Sequence, residues 1–138
     1  MKTIFKYVLL LLTTAAMMPA QISCSNNNCN GEVCVAEGNV RHVILWTLSD
    51  SLSQNEKQEV INLAKSSMEK FVQQTDGLLK GEVIYEKRLE SSNCDFMFDM
   101  YFKDAKALEE FSVSPEHIAT VSSLKQYISE RTCLDIAL

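Results

Sequence analysis

Apolar side chains fall on both faces of the segments that read most clearly as β-strands, and this limits what the chain can become. Val40 to Leu48 is β-branched and aromatic-rich, hence a strand. It carries Val43 and Leu45 on one side and Ile44, Trp46 and Leu48 on the other. Asp95 to Phe102 sets Phe96, Phe98, Met100 and Phe102 against Met97 and Tyr101. The closing segment, Ile128 to Leu138, sets Leu134 and Ile136 opposite Cys133. A free-standing antiparallel sheet alternates apolar inward with polar outward. A sheet apolar on both faces needs two covers, because each such side chain left in water forgoes roughly 1.5–3 kcal/mol of burial.

Helices supply one cover. Ser53-Gln54-Asn55-Glu56 spells a capping box. Behind it Val60, Leu63, Ala64, Met68, Phe71 and Val72 recur at three-to-four spacing, which predicts a helix over about 54–74 stopping at Asp76-Gly77. Glu82 to Leu89 reads as a strand and Ser91-Ser92-Asn93 as a turn. A second helix starts at Asp104 with Leu108 and Phe111 inward. Ser114-Pro115-Glu116 restarts it, with Ser as N-cap and Pro at the first helical position, and Ile118, Val121 and Leu124 continue the stripe. The order β-α-β-β-α-β is the ferredoxin-like α+β arrangement, a four-stranded antiparallel sheet with two helices on one face. The simplest cover for the other face is a second copy about a two-fold axis, so that two sheets close into a barrel. A homodimer is therefore expected, against the alternative of a monomer with a ligand-filled cleft.

The remaining chain bears on location. Lys2 and Lys6 precede an apolar run from Tyr7 to Leu12 that continues to Met18. A basic start with so short an apolar stretch reads as a signal peptide over residues 1–23, too short to span the ~30 Å of a bilayer core. Ala20 suits an ordinary signal-peptidase cut. Alternatively, Ile22-Ser23-Cys24 resembles the end of a bacterial lipobox, with Gln21 where that motif usually has Leu, and makes Cys24 the lipidated residue. Residues 24–39 carry Asn, Ser, Gly and Glu without periodicity and read as a tether; 40–138 is one domain. With 46% hydrophobic residues and only 4 Gly and 2 Pro, that domain can bury a core. Removing Lys2 and Lys6 leaves 11 basic against 18 acidic residues, a net −7. So negative a surface argues against nucleic acid and against electrostatic docking on anionic lipid. The expectation is an exported lipoprotein of the cell envelope, held to the membrane by its lipid alone; a soluble periplasmic or secreted protein is the alternative.

Four cysteines remain beside Cys24. Exported thiols tend to oxidise. Cys29 and Cys34 are placed to close a small loop in the tether. Cys94 and Cys133 are not expected to pair within one chain, since the first strand lies between the third and fourth and holds them ~9–10 Å apart. They read as small buried apolar residues. No Cys-x-x-Cys pair and no histidine at ligand spacing is present, so neither a metal site nor a cofactor is expected.

Arg41-His42-Val43-Ile44-Leu45-Trp46, Leu52-Ser53, Phe98-Asp99-Met100-Tyr101-Phe102-Lys103-Asp104 and above all Ser114-Pro115-Glu116-His117 resemble the stress-responsive A/B barrel (Dabb) family in order and spacing. The likeness covers roughly Val40 to Ile136. It implies a dimeric α+β barrel. Few members have an established activity; some plant members act as polyketide cyclases with a Tyr–His pair lining the cavity, and more distant barrel relatives are cofactor-free monooxygenases. Those cyclases place the Tyr six residues before the His, where this chain has Phe111, and a second cavity His where it has Phe96. The cyclase dyad is thus broken.

His42 and His117 are the only histidines. His117 falls at the third residue of the helix begun by Pro115, where the positive end of the helix dipole disfavours protonation and leaves a neutral base. Tyr85 and Tyr101 offer hydroxyls, and Trp46, Phe96 and Phe111 offer flat apolar walls for a small ligand. Plainer readings stand beside these: His117 bonding the loop before its helix, His42 as a satisfied core histidine, and the aromatic row as packing. Two functions follow. One is a homodimer binding a small apolar or aromatic molecule in its cavity, and the sequence leans to it because a proton-transfer partner is missing. The other is a cofactor-free cyclase, lyase or monooxygenase using His117 with His42.

Overall fold

The computed structural model describes Ala36 and residues 39–138. The expected signal peptide and most of the tether, with Ala20, Cys24, Cys29 and Cys34, lie outside the described residues. The chain runs β1 (Val40–Leu48), α1 (Gln54–Gln74), β2 (Leu78–Ile84), β3 (Phe96–Phe102), α2 (Ala105–Ser112), α3 (Pro115–Lys125) and β4 (Ile128–Ala137). The strands pair antiparallel in the order β2-β3-β1-β4, which is the ferredoxin-like α+β fold. Among the described residues, no helix is long and apolar enough to cross a membrane.

Local chemistry explains each boundary. Both halves of the capping box form at the start of α1: Ser53 N donates to Glu56 Oε2 at 2.8 Å, and Glu56 N donates to Ser53 Oγ at 3.4 Å. At its far end Gly77, at φ +80°, turns the chain into β2, a conformation that favours glycine. β2 therefore starts four residues before the expected Glu82 and ends at Ile84, because this turn launches the strand at once and Arg88 N closes a turn onto Tyr85 O beyond it. The second expected helix is two helices. Val113 caps the end of α2, Ser114 Oγ accepts from His117 N, and Pro115 opens α3 with a residue that has no N–H to join the preceding turn. Asn39, assigned to the tether, is buried: its Nδ2 donates to Lys103 O at 2.9 Å and its carbonyl accepts from Leu138 N.

α1 buries Val60, Ile61, Ala64, Ser67, Met68 and Phe71. Leu63 and Val72 of the expected stripe are exposed and Ile61 is buried instead, so the helix sits rotated about its axis relative to the sequence reading. Ile118 of α3 is likewise exposed, and Leu124 is the one residue of α3 that is fully buried.

Alternation in the strands sorts the chemistry. β1 sends His42, Ile44, Trp46 and Leu48 to the helices, all buried, and leaves Arg41, Val43 and Leu45 half-buried on the open face. β3 does the same with Phe96, Phe98, Met100 and Phe102 against half-buried Met97 and Tyr101, while Asp99 on the open face is buried. β4 is inverted. Its register places Cys133 opposite Ile44 and Asp135 opposite His42, so its polar residues share the helix side while Leu134 and Ile136 point away from the chain's own core.

Candidate functional site

His117 sits where α3 lies over the sheet. Its ring is 4.8 Å from that of Phe111, which packs edge-on against Phe71 and tilted against Phe102. Nδ1 lies 2.9 Å from Ser112 O. A carbonyl only accepts, so Nδ1 carries the proton and Nε2 keeps its lone pair. Burial pushes the imidazole pKa below its ordinary value, the Ser112 bond opposes it, and the Arg131 guanidinium adds to the lowering. The lowering runs in the direction expected from the helix position, with desolvation as its largest cause.

Beneath His117 lies a small void, about 10 Å³, walled by Ile44, Trp46, Phe98, Phe111, His117 and Leu124. That is the room of about one water. Trp46 stacks on Phe96 with ring centroids 6.0 Å apart, meets Phe98 edge-on, and carries the Arg131 guanidinium 5.5 Å from its ring. Among the described residues, its indole Nε1 is the one buried side-chain nitrogen or oxygen without a hydrogen-bond partner. Such a group costs free energy unless something accepts from it.

A second cluster lies at the β1–β4 edge. The Nδ1 of buried His42 meets Asp135 Oδ1 in a short contact, and Cys133 Sγ stands 3.7 Å from the same Nδ1 and 4.0 Å from the Asp135 oxygen. His42 is 5% exposed, while Cys133 and Asp135 face solvent. Burial and the Asp135 carboxylate push the Cys133 thiol pKa up, and Arg131 opposes them. Cys133 is therefore not the buried apolar residue expected, because it lies on the sheet's outer strand, which has β1 on one side only. Cys94 is half-buried in the loop before β3, and both thiols are free. The sequence reading missed the cluster because two of its members are alternate residues of one strand and the third comes from another. Cys-x-Asp on a strand, whose side chains repeat every two residues, was the available signal.

The structure thus gathers His117, Trp46, Phe96 and Phe111 on the helix side, with His42 on the same face of β1. It does not bring the tyrosines to them. Tyr101 lies on the open face between Arg41 and Lys80, 5.4 and 6.0 Å from its ring, and Tyr85 lies beyond β2 with Lys65 Nζ 4.3 Å from its ring. The open face also holds an ion pair that the sequence reading missed: Arg41 clamps Asp99 through two hydrogen bonds of 2.8 and 3.0 Å. A groove of about 350 Å³ between α1 and β2 is lined by Lys65, Met68, Val72, Gly81 and Val83, and neither histidine borders it.

The family model described as the stress responsive A/B barrel domain matches residues 40–138. Among curated proteins, none matches. Of solved structures, a dimeric ferredoxin-like protein of unknown function from Bacteroides fragilis is 24% identical with a TM-score of 0.68, over 74% of this chain and 98% of that one. A second dimeric ferredoxin-like protein, from Thermobifida fusca, is 17% identical with a TM-score of 0.63, over 78% and 97%. SnoaB, a cofactor-independent oxygenase from Streptomyces nogalater, is 11% identical with a TM-score of 0.58, over 73% and 93%.

Proposed function

The chain belongs to the stress responsive A/B barrel domain family, and from that premise we propose that it works as an exported homodimer holding a small, largely apolar molecule between α3 and the sheet. The observation that carries this is the unpaired Trp46 N–H buried in an apolar wall beside His117, whose Nε2 is free to accept. Few, convergent polar groups in an apolar lining are what fix a small ligand's orientation. The guest this selects is flat and apolar, with an acceptor for Trp46 and a donor for His117.

The void of about 10 Å³ is far below the ~300 Å³ at which ligand pockets begin, so a guest enters only as α3 lifts from the sheet. α3 is built for this, since Leu124 is its only fully buried residue. Export by residues 1–23 and a lipid on Cys24 would keep such a receptor at the cell envelope; a cut after Ala20 would release it as a soluble protein. The homodimer is supported by the dimeric neighbours and by the apolar open face.

Native mass spectrometry of protein purified from its own host tests the reading. A dimer carrying one small molecule per chain is expected, with the guest lost in Trp46→Phe, which keeps the ring and removes the N–H. A well-folded monomer without a guest overturns it. The neutral Nε2 of His117 favours a second reading, a cofactor-free lyase, cyclase or monooxygenase. Turnover of the captured guest by the native protein, lost in His117→Ala, would establish it.

A further inference from the structure

We propose that His42, Cys133 and Asp135 form a binding site for a borderline-soft divalent transition-metal ion of the Zn²⁺ class. One ligand atom from each, Nδ1, Sγ and a carboxylate oxygen, lies within 4.8 Å of the other two. A tetrahedral ion with a Zn–S bond of about 2.3 Å and Zn–N and Zn–O bonds of about 2.0–2.2 Å sets its ligands roughly 3.5 Å apart. The observed Sγ separations of 3.7 and 4.0 Å are close to that. Opening the short Asp135–His42 contact is the one adjustment needed, and Asp135 is the exposed member of that pair.

The geometry selects chelation over a nucleophilic relay. A Cys–His–Asp relay needs thiol and carboxylate on opposite nitrogens of the imidazole, one to give a proton and the other to orient the ring. Here both meet Nδ1. Three unlike atoms aimed at one point are a ligand set. One nitrogen, one sulfur and one oxygen donor exclude Mg²⁺ and Ca²⁺, which take oxygen, and suit Zn²⁺ or Co²⁺. The strand register supplies the rigidity: Asp135 is paired directly with His42, Cys133 is one side-chain repeat away, and His42 is held by burial. Cys133 and Asp135 face solvent, so an ion has an entry path and a fourth position for water or a ligand. Arg131, on the same face of β4, is a cation beside the thiol, and it has the Trp46 ring to stack on.

The test is Co²⁺ titration of the reduced full chain, followed by the thiolate-to-cobalt charge-transfer band in the near ultraviolet, with Zn²⁺ competition for affinity. One Co²⁺ per chain should give the band, and Cys133→Ser should abolish it. Cys133→Ser and Asp135→Asn should each weaken Zn²⁺ binding by more than the ~10–100-fold that loss of an outer-shell partner costs. Both residues are exposed, so neither variant threatens the fold. No band from the native chain, a band that survives Cys133→Ser, or a Zn²⁺ affinity unmoved by either substitution overturns the assignment. The other cysteines, Cys94 among them, are unchanged in every variant, so a band belonging to them is recognised by its survival.

Discussion

Burial lowers the His117 pKa, with Arg131 as a neighbouring positive group, and this has a sign that can be checked. Its folded pKa lies below the ordinary value of 6.5. Below that pH the unfolded chain takes up a proton that the folded chain resists, so stability falls as pH drops from 6.5 toward the folded value. Above 6.5 the residue is neutral in both states and contributes no slope. The urea midpoint of the native protein, compared with that of His117→Asn, reads this directly. Asn keeps an N–H donor for Ser112 O but does not titrate, so the native midpoint should drop relative to the variant as the buffer is taken below 6.5. A constant difference across that range would show that burial does not set this histidine's charge. The helix start that places His117 was legible in Ser114-Pro115, and Phe111 six residues before it was legible as a missing proton donor. The bond to Ser112 O was not, because it depends on how the chain turns between α2 and α3.

At the scale of elements, the sequence pattern located β1 and α1 with the bounds that the structure has. It failed where local signals leave a choice. Val60, Ala64, Met68 and Phe71 belong to either of two adjacent faces of α1, and only packing on the sheet decides between Ile61 and the pair Leu63 and Val72. β2 was misplaced because Glu82 to Tyr85 holds the β-branched and aromatic residues that Leu78 to Gly81 lacks, and the deciding residue is Gly77. A Cβ on Gly77 would sit 2.7 Å from Ala107 Cβ and 2.9 Å from Lys103 Cε, at a positive φ that L side chains rarely adopt. Gly77→Ala should therefore destabilise the domain by about 1–3 kcal/mol, through backbone strain and the clash with α2. A lowered denaturant midpoint with an unchanged m-value is the expected signature. A midpoint within error of the native one would mean that the turn into β2 is made some other way.

For the whole molecule, β4 poses the question its own chain does not answer. Its polar residues Arg131, Cys133 and Asp135 lie on the helix side, and its apolar residues Leu134 and Ile136 lie on the side without helices. There they join Val43, Leu45, Met97 and Tyr101, and Leu134 is 58% exposed. A lone domain would gain by the opposite phase, so the strand is patterned for a partner sheet. The Arg41–Asp99 pair on this face is compatible with being covered, since both carboxylate oxygens are already bonded and Asp99 is 7% exposed even in the single chain. Leu134→Asp separates the chain's own stability from its association, because Leu134 contributes little to the intramolecular core. In a two-fold dimer the substitution occurs twice, and losing roughly 1.5–3 kcal/mol of burial per copy weakens the dimer by roughly two to four orders of magnitude in Kd. Sedimentation velocity across a dilution series should show the native chain dimeric at concentrations where Leu134→Asp is monomeric, with the far-ultraviolet circular dichroism of the two alike. If the native chain sediments as a monomer throughout, or the variant dimerises as tightly, the apolar open face has another purpose and the barrel closure is wrong. If the variant alone loses its circular dichroism, β4 depends on Leu134 within the chain, and the same series on Leu45→Asp, on the neighbouring strand of that face, decides the point.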